Sequence, residues 1–302
     1  MKHGKPLLLA GFAFLLAALT GCGSWKSDTD FDYAVWSDDD TKVAFVKRYF
    51  KRKNNLTHYI TKEYSLELFV ANPDGTDAVQ MGGKRVGSVK DIFYMNDAGY
   101  VILGRGLEPT ESNGTQSQTI VYEKISLDGT VEQIGKVNGN IMVSCDGGSS
   151  STGTTPPLRV IPSRDGTTLA MVESFTECGS NDMTLTFLDA TTLSPIGQTM
   201  DVDTEIIGEG LGDDGLFLSF LTMAWTSEGA FVVSKAFGMG EFLVGLKFEV
   251  DGTEGEWVDS LVMDCMQVAT SSGTTAKDGT EVTIEDDGTL SFGSNDMFTG
   301  CH

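Results

Sequence analysis

Histidine is almost missing from this chain, with three in 302 residues. His3 falls in an N-terminal leader, which leaves His58 in a polar stretch and His302 at the end. Serine or cysteine nucleophiles activated by imidazole need such a base, so that chemistry has little to draw on, and both histidines read as surface residues. There is no His-rich metal spacing, no phosphate-cradling glycine loop and no dinucleotide fingerprint. Positive charge is also short: 21 Lys and Arg stand against 43 Asp and Glu, a formal net charge of −22. An acidic body of this kind argues against nucleic acid as a partner and against broad docking onto anionic lipid. Long apolar runs are confined to Leu7–Leu19, and thirteen residues are too few to span a bilayer, which takes about 20. Helical periodicity is scarce as well, so the bulk of the chain reads as strands and turns.

The apolar run has a different meaning. Lys2 and Lys5 precede it and Leu19-Thr20-Gly21-Cys22 ends it, the layout of a secretory leader. The last four residues resemble the lipobox of bacterial lipoproteins. That resemblance implies cleavage before Cys22, a diacylglycerol thioether on its sulfur and an acylated amino group. Residues 1–21 are then signal peptide, 22–30 a polar tether, and 31–302 one domain. Gly23 and Ser24 lack the aspartate that resembles an inner-membrane retention signal, so the outer membrane of the cell envelope is the expected location.

Cysteine arithmetic agrees. Five cysteines leave one unpaired in an exported protein. With Cys22 assigned to lipid, Cys145, Cys178, Cys265 and Cys301 form an even set in an oxidising compartment. Three pairings are open, and Cys145–Cys178 with Cys265–Cys301 is favoured because each closes a local loop. Thiols spaced this widely match no zinc pattern.

The body is repetitive. Trp36-Ser37-Asp38-Asp39-Asp40-Thr41-Lys42-Val43-Ala44-Phe45 reads as a strand end, an acidic turn and a new strand. Its echoes place turn acids at Asp97, Asp165, Glu228 and Asp287, at intervals of 58, 68, 63 and 59 residues. A second signature, an alternating strand running into Asp-Gly-Thr or Asp-Ala-Thr, recurs at Asp74, Asp128, Asp189 and Asp251. Asp-Gly between strand-like runs marks a hairpin, because glycine takes positive φ at no steric cost. Each repeat therefore supplies two hairpins, hence four strands and one sheet, and a fixed period of this size marks a repeat architecture. The pattern W-S-x-D-x-x-x-V-A-F, then L-x-L-F-V-x-N-x-D-G-T, resembles the blades of TolB-like, WD40-like β-propellers. The resemblance is best over 32–80 and departs from the family in the first turn, where Pro-Asp-Gly is usual. The expectation is an all-β chain of four to five four-stranded blades, with a β-sandwich as the alternative. Glu108–Ser117 and Ser149–Pro157 read as loops.

Carboxylates in the turns have a structural reason to be there, so no catalytic residue is assigned. Clustered oxygens in Asp201-Val202-Asp203-Thr204-Glu205 and at Asp213-Asp214 are candidate calcium ligands, though neither fits an EF-hand loop. No other cofactor is expected. Against the acidic background stands one basic cluster, Lys47, Arg48, Lys51, Arg52 and Lys53, interleaved with Tyr49 and Phe50. It lies between the first two repeat signatures, in an inserted loop or an extended hairpin, and is the candidate contact for anionic headgroups, lipopolysaccharide phosphates or an acidic envelope protein. Because propellers of the resembled family are interaction platforms, the expected function is a lipid-anchored, non-enzymatic binding platform. The alternative is an envelope hydrolase or lyase with acidic residues in the propeller channel.

Overall fold

The computed structural model describes residues 25–54, 59–112, 115–144, 150–152, 157–177, 180–202, 219–226, 229–237, 243–251, 256–258 and 280–294. The chain is all-β among these residues, in antiparallel sheets laid down in sequence order. Sheet I is β1 (Lys26–Trp36), β2 (Val43–Asn54), β3 (Tyr59–Ala71) and β4 (Val79–Val86), paired in that order. Sheet II contains β5 (Ser88–Met95), β6 (Tyr100–Gly106), β8 (Thr115–Ser126) and β9 (Val131–Ser144). Two short strands extend it, β7 (Thr110–Ser112) on β8 and β10 (Ser150–Thr152) on β9. Sheet III is β11 (Leu158–Pro162), β12 (Thr168–Glu177), β13 (Ser180–Asp189) and β14 (Pro195–Val202). Sheet IV is β15 (Ser219–Trp225), β16 (Phe231–Phe237), β17 (Leu243–Phe248) and β18 (Glu256–Val258). A hairpin of β19 (Thr280–Ile284) and β20 (Leu290–Ser294) follows.

Among the described residues the turns fall where the two signatures place them, Glu228 and residues 252–253 lying outside that set, and their chemistry explains why. In the first turn Ser37 Oγ donates to Asp39 at 2.6 Å, and the Thr41 amide donates to the same carboxylate at 3.0 Å. Ser163, Asp165 and Thr167 repeat the arrangement at 2.7 and 3.1 Å. Asp74, Asp128 and Asp287 each accept from the amide two residues on. An aspartate that bonds its own turn fixes the chain reversal locally.

Packing between the sheets removes the usual inside–outside alternation. Ala44 and Val46 point into a core shared with Val89, Ile92 and Val101 of sheet II. Val43 and Phe45, on the opposite face, pack against Val282 and Ile284 of the last hairpin. Tyr100 and Ile102 face Leu158, Val160 and Leu169 of sheet III, and Phe187 of sheet III meets Trp225 and Phe231 of sheet IV. Strands buried on both faces read as continuous apolar runs, as Val43–Val46 does.

Polar bonds stitch the same neighbours. Asp38 accepts from the Asn96 amide at 2.7 Å, Tyr100 Oη donates to the Gly166 carbonyl at 2.8 Å, and Trp225 Nε1 donates to the Ile161 carbonyl at 3.1 Å. Trp36 Nε1 reaches the Thr280 carbonyl at 3.2 Å. The described contacts therefore run hairpin, I, II, III, IV, and do not by themselves close a ring.

Three expectations need correction. Residues 26–30, read as tether, are strand, because Asp28 and Asp30 sit opposite Phe50 and Arg48 in the β1–β2 ladder. The stretch 108–117 holds β7, which folds back on the start of β8, and 149–157 holds β10. Of the two alternatives for the basic segment, the extended hairpin is the one found, since β2 and β3 stay paired out to Asn54 and Tyr59.

Candidate interaction surface on the first sheet

The long β1–β2–β3 extension carries the basic cluster, and the pleat divides it. Successive side chains on a strand point to opposite faces. Arg48 and Arg52 lie on one face, Lys47, Lys51 and Lys53 on the other. β1 is matched to this split, since Asp28, Asp30 and Asp32 alternate with Thr29 and Phe31. Register puts Asp30 opposite Arg48 and Asp28 opposite Phe50, so all three aspartates share the arginine face.

On that face the charges are paired. Arg48 holds Asp30 through Nε at 3.0 Å and Asp32 through Nη2 at 2.8 Å, with Glu63 at 3.9 Å. Arg52 reaches Asp28 at 3.3 Å and lies 4.3 Å from the Phe50 ring centroid. Burial pushes the Glu63 carboxyl up, against the pull of Arg48 and of the Val89 amide, and its Oε1 has no hydrogen-bond partner. Tyr33 stacks beside Arg48 at 5.6 Å, with left-handed backbone (φ 57°) at the β1 bulge.

The lysine face is different. Lys84, from β4, sits 3.2 Å from the Tyr49 ring centroid, and Lys47 lies 5.7 Å from the same ring. Lys51 lies 5.7 Å from the Tyr64 ring. Tyr49 Oη donates to Glu67 at 2.6 Å, a bond that raises the phenol to about 12. Glu67 is thereby engaged by a neutral tyrosine, and among the described residues no carboxylate forms an ion pair with Lys47, Lys51, Lys53 or Lys84. The outcome is a cationic, tyrosine-backed surface on a rigid sheet. Lys84 joins the predicted set although it is 31 positions beyond Lys53 in the chain. The signal that could have found this division is the Asp-Thr-Asp-Phe-Asp alternation at 28–32.

The other candidate groups are accounted for as follows. Cys22, Cys145, Cys178, Cys265, Cys301, His58 and His302 lie outside the described residues, as do the calcium candidates apart from Asp201 and Val202. Among the described residues no group of three or more His, Cys, Asp or Glu could hold a metal. A shallow cleft between sheets III and IV is lined by Asp165, Thr167, Trp225 and Thr226, and its acid is committed to its own turn.

That commitment has a pH consequence. Burial works against ionisation of Asp39, but hydrogen bonds from Ser37, Thr41 and Asn96 outweigh it and bring the carboxyl to about 2. Hydrogen bonds also lower Asp74, Asp128, Asp165, Asp189 and Asp287. A carboxyl depressed in the folded state stabilises it above the unfolded pKa of about 4, and that stabilisation is lost as pH falls through the folded value. Desolvation raises Asp38 as burial raises Glu63, so these two oppose the trend until they protonate. Melting temperature is expected to change little from pH 7 to 5 and to fall steeply between about pH 4 and 2. Asp39→Asn should flatten that fall in a thermal scan across pH, and an unchanged slope would refute the assignment.

The described fold is thus an all-β array of antiparallel sheets, three of them four-stranded, carrying one cationic face. No family model and no curated protein matches the chain. Among solved structures it is similar to a protein from Lactobacillus plantarum, at 11% identity and TM-score 0.33, covering 89% of this chain and 81% of that one. It is also similar to a thermostable family-43 glycoside hydrolase, at 9% identity and TM-score 0.26, covering 90% and 85%. Likenesses of this size carry no argument about activity, which rests on the residues themselves.

Proposed function

We propose that the chain is a lipid-anchored protein of the bacterial cell envelope, acylated at Cys22, whose blades form a propeller-like ring acting as a non-enzymatic binding platform. The observation that carries the platform reading is the fate of the turn acids. Asp39, Asp74, Asp128, Asp165, Asp189 and Asp287 accept hydrogen bonds from their own turns, so the most repeated carboxylates serve the scaffold. The ring reading is supported by sheet I, which is buried on both faces, by sheet II and by the last hairpin. In sheet IV, Ala224 and Val232 are fully buried on the face turned away from Trp225 and Phe231. An open stack would leave such end faces wet, whereas a closed ring covers them.

The partner proposed is an envelope component with anionic character, met in the outer membrane. The direct test is Cys22→Ser in the native host. The expected result is loss of the lipid mass and release from the membrane fraction, or retention of the leader. Unchanged mass and fractionation would overturn the anchor. The same preparation tests the disulfides. Cys145 immediately follows β9 and Cys178 immediately follows β12, and these strands run side by side, with Gly135 near Met171 and Gly139 near Pro157, whose carbonyl bonds the Ser174 amide. Non-reducing peptide maps should therefore link Cys145 to Cys178, and Cys265 to Cys301; four alkylatable thiols would refute both pairings.

A second reading, an envelope hydrolase, draws on Glu63. Its raised carboxyl lies with Asp30 and Asp32 around Arg48, and acid–base pairs in glycoside hydrolysis are carboxylates in unlike environments. Turnover of chromogenic glycosides that disappears in Glu63→Gln, with the melting temperature retained, would favour it over the platform.

A further inference from the structure

The geometry points to the lysine face of sheet I as a membrane-docking surface that lays this end of the sheet against an anionic bilayer. The inference rests on the lipid anchor at Cys22 for its orientation, and on the sheet for its chemistry. Covalent geometry sets the first part. Cys22 is four residues before Lys26, and an extended chain covers at most about 3.6 Å per residue, so β1 starts within about 14 Å of the Cys22 Cα. Lys26 pairs with Arg52 and Ser27 with Lys51, so the basic end of β2 shares that short leash. Trp25, 45% exposed at the start of β1, lies between the two.

Charge sets the second part. The chain as a whole carries −22, and an anionic bilayer repels most of its surface. Lys47, Lys51, Lys53 and Lys84 form the exception, because the three aspartates of β1 point to the other face and Glu67, opposite Lys47 and accepting from Tyr49, is one negative charge against these four positive ones. The bilayer is favoured over an acidic protein by this placement beside the anchor. Tyrosine rings beneath the ammonium groups hold the amines in place without neutralising them. Attraction of this kind acts within about 8 Å at physiological salt, so it operates only on a surface that the tether already keeps close.

The test is lysine footprinting. The lipidated chain is reconstituted on vesicles of phosphatidylcholine alone or with about 30% phosphatidylglycerol, labelled with an amine reagent and read by peptide mass. Expected is protection of Lys47, Lys51, Lys53 and Lys84 on the anionic vesicles only, reversed by 1 M salt, with Lys90 and Lys136 unchanged. In parallel, the purified Cys22→Ser chain is sedimented with the same vesicles. It should bind the anionic ones weakly, and each lysine replaced by serine should lower that affinity by about fivefold. Equal labelling on both vesicles would overturn docking while leaving the anchor intact. Salt-sensitive sedimentation of Cys22→Ser alongside a native protein that carries no lipid would sink the anchor alone. Protection by soluble polyglutamate but not by anionic vesicles would overturn the membrane in favour of an acidic polypeptide. A melting temperature unchanged in the quadruple serine variant keeps lost binding from being lost fold.

Discussion

Trp225→Ala is expected to lower stability by about 3–5 kcal/mol, the usual cost of truncating a buried large aromatic side chain. The indole is 3% exposed and stands between Phe187 and Phe231, with ring centroids 5.5 and 5.3 Å away. Its Nε1 also donates to the Ile161 carbonyl across the boundary between sheets III and IV. The alanine variant loses the packing, opens a cavity and strips that carbonyl of its donor. Trp225→Phe separates the effects, because a ring remains while the hydrogen bond goes, at a net cost of about 1 kcal/mol plus the lost ring volume. Denaturant melts of both variants give the comparison. A Trp225→Ala loss under about 1 kcal/mol would mean that the indole does not hold the two sheets together.

Trp36 supplies the internal control. It occupies the matching place in sheet I and donates to Thr280 of the last hairpin, but its neighbour there, Phe292, is 45% exposed. Trp36→Ala should therefore loosen β19 and β20 more than it lowers global stability. Hydrogen exchange would show this as faster exchange over 280–294 at nearly constant rates in sheet III.

The turns were the legible part of this chain, because a local rule sets them. Asp-Gly and Ser-x-Asp-x-Thr decide a reversal within six residues, so Asp39, Asp74, Asp128, Asp165 and Asp287 could be placed from sequence and grouped into four-stranded units. What escaped depends on partners distant in the chain. Trp36-Ser37 and Trp225-Thr226 open two of the repeats in the sequence, yet nothing local says that each indole reaches into the neighbouring sheet. Residues 26–30 look like a polar tether by composition and become strand only because Arg48 and Arg52 lie opposite. The five basic residues look like one cluster in one dimension. The pleat splits them, pairs the arginines and leaves the lysines without an ion pair among the described residues, and Lys84 enters only through the β3–β4 hairpin. Continuous apolar strands such as Val43–Val46 carry no period-two signal, since both faces are covered by different sheets.

Glu123→Ala is the variant expected to damage the boundary between sheets I and II most. The carboxylate of Glu123 lies in β8 and receives Arg105 of β6 through Nε at 3.0 Å and Nη2 at 2.8 Å. Arg85, from β4 of sheet I, approaches the oxygen that accepts from Arg105 Nε, at 3.3 Å. The side chains of Glu123 and Arg105 are each 11% exposed, so solvent screens the pair poorly. Removing the one acid leaves two guanidinium groups facing each other, and breaking a buried pair in this way costs about 3–5 kcal/mol. The intact triad need not be strongly stabilising for that to hold, since desolvation offsets much of the attraction. Glu123→Gln retains acceptors while removing the charge, and should recover only part of the loss. Replacing Glu123, Arg85 and Arg105 together by Met should recover more, because no unpaired charge is left behind. At about 2–4 °C per kcal/mol for a domain of this size class, the alanine variant should melt roughly 6–20 °C lower, with the triple variant between it and wild type. A triple variant as unstable as Glu123→Ala would assign the loss to packing volume, and an unchanged melting temperature in Glu123→Ala would remove the triad from the forces joining sheet I to sheet II.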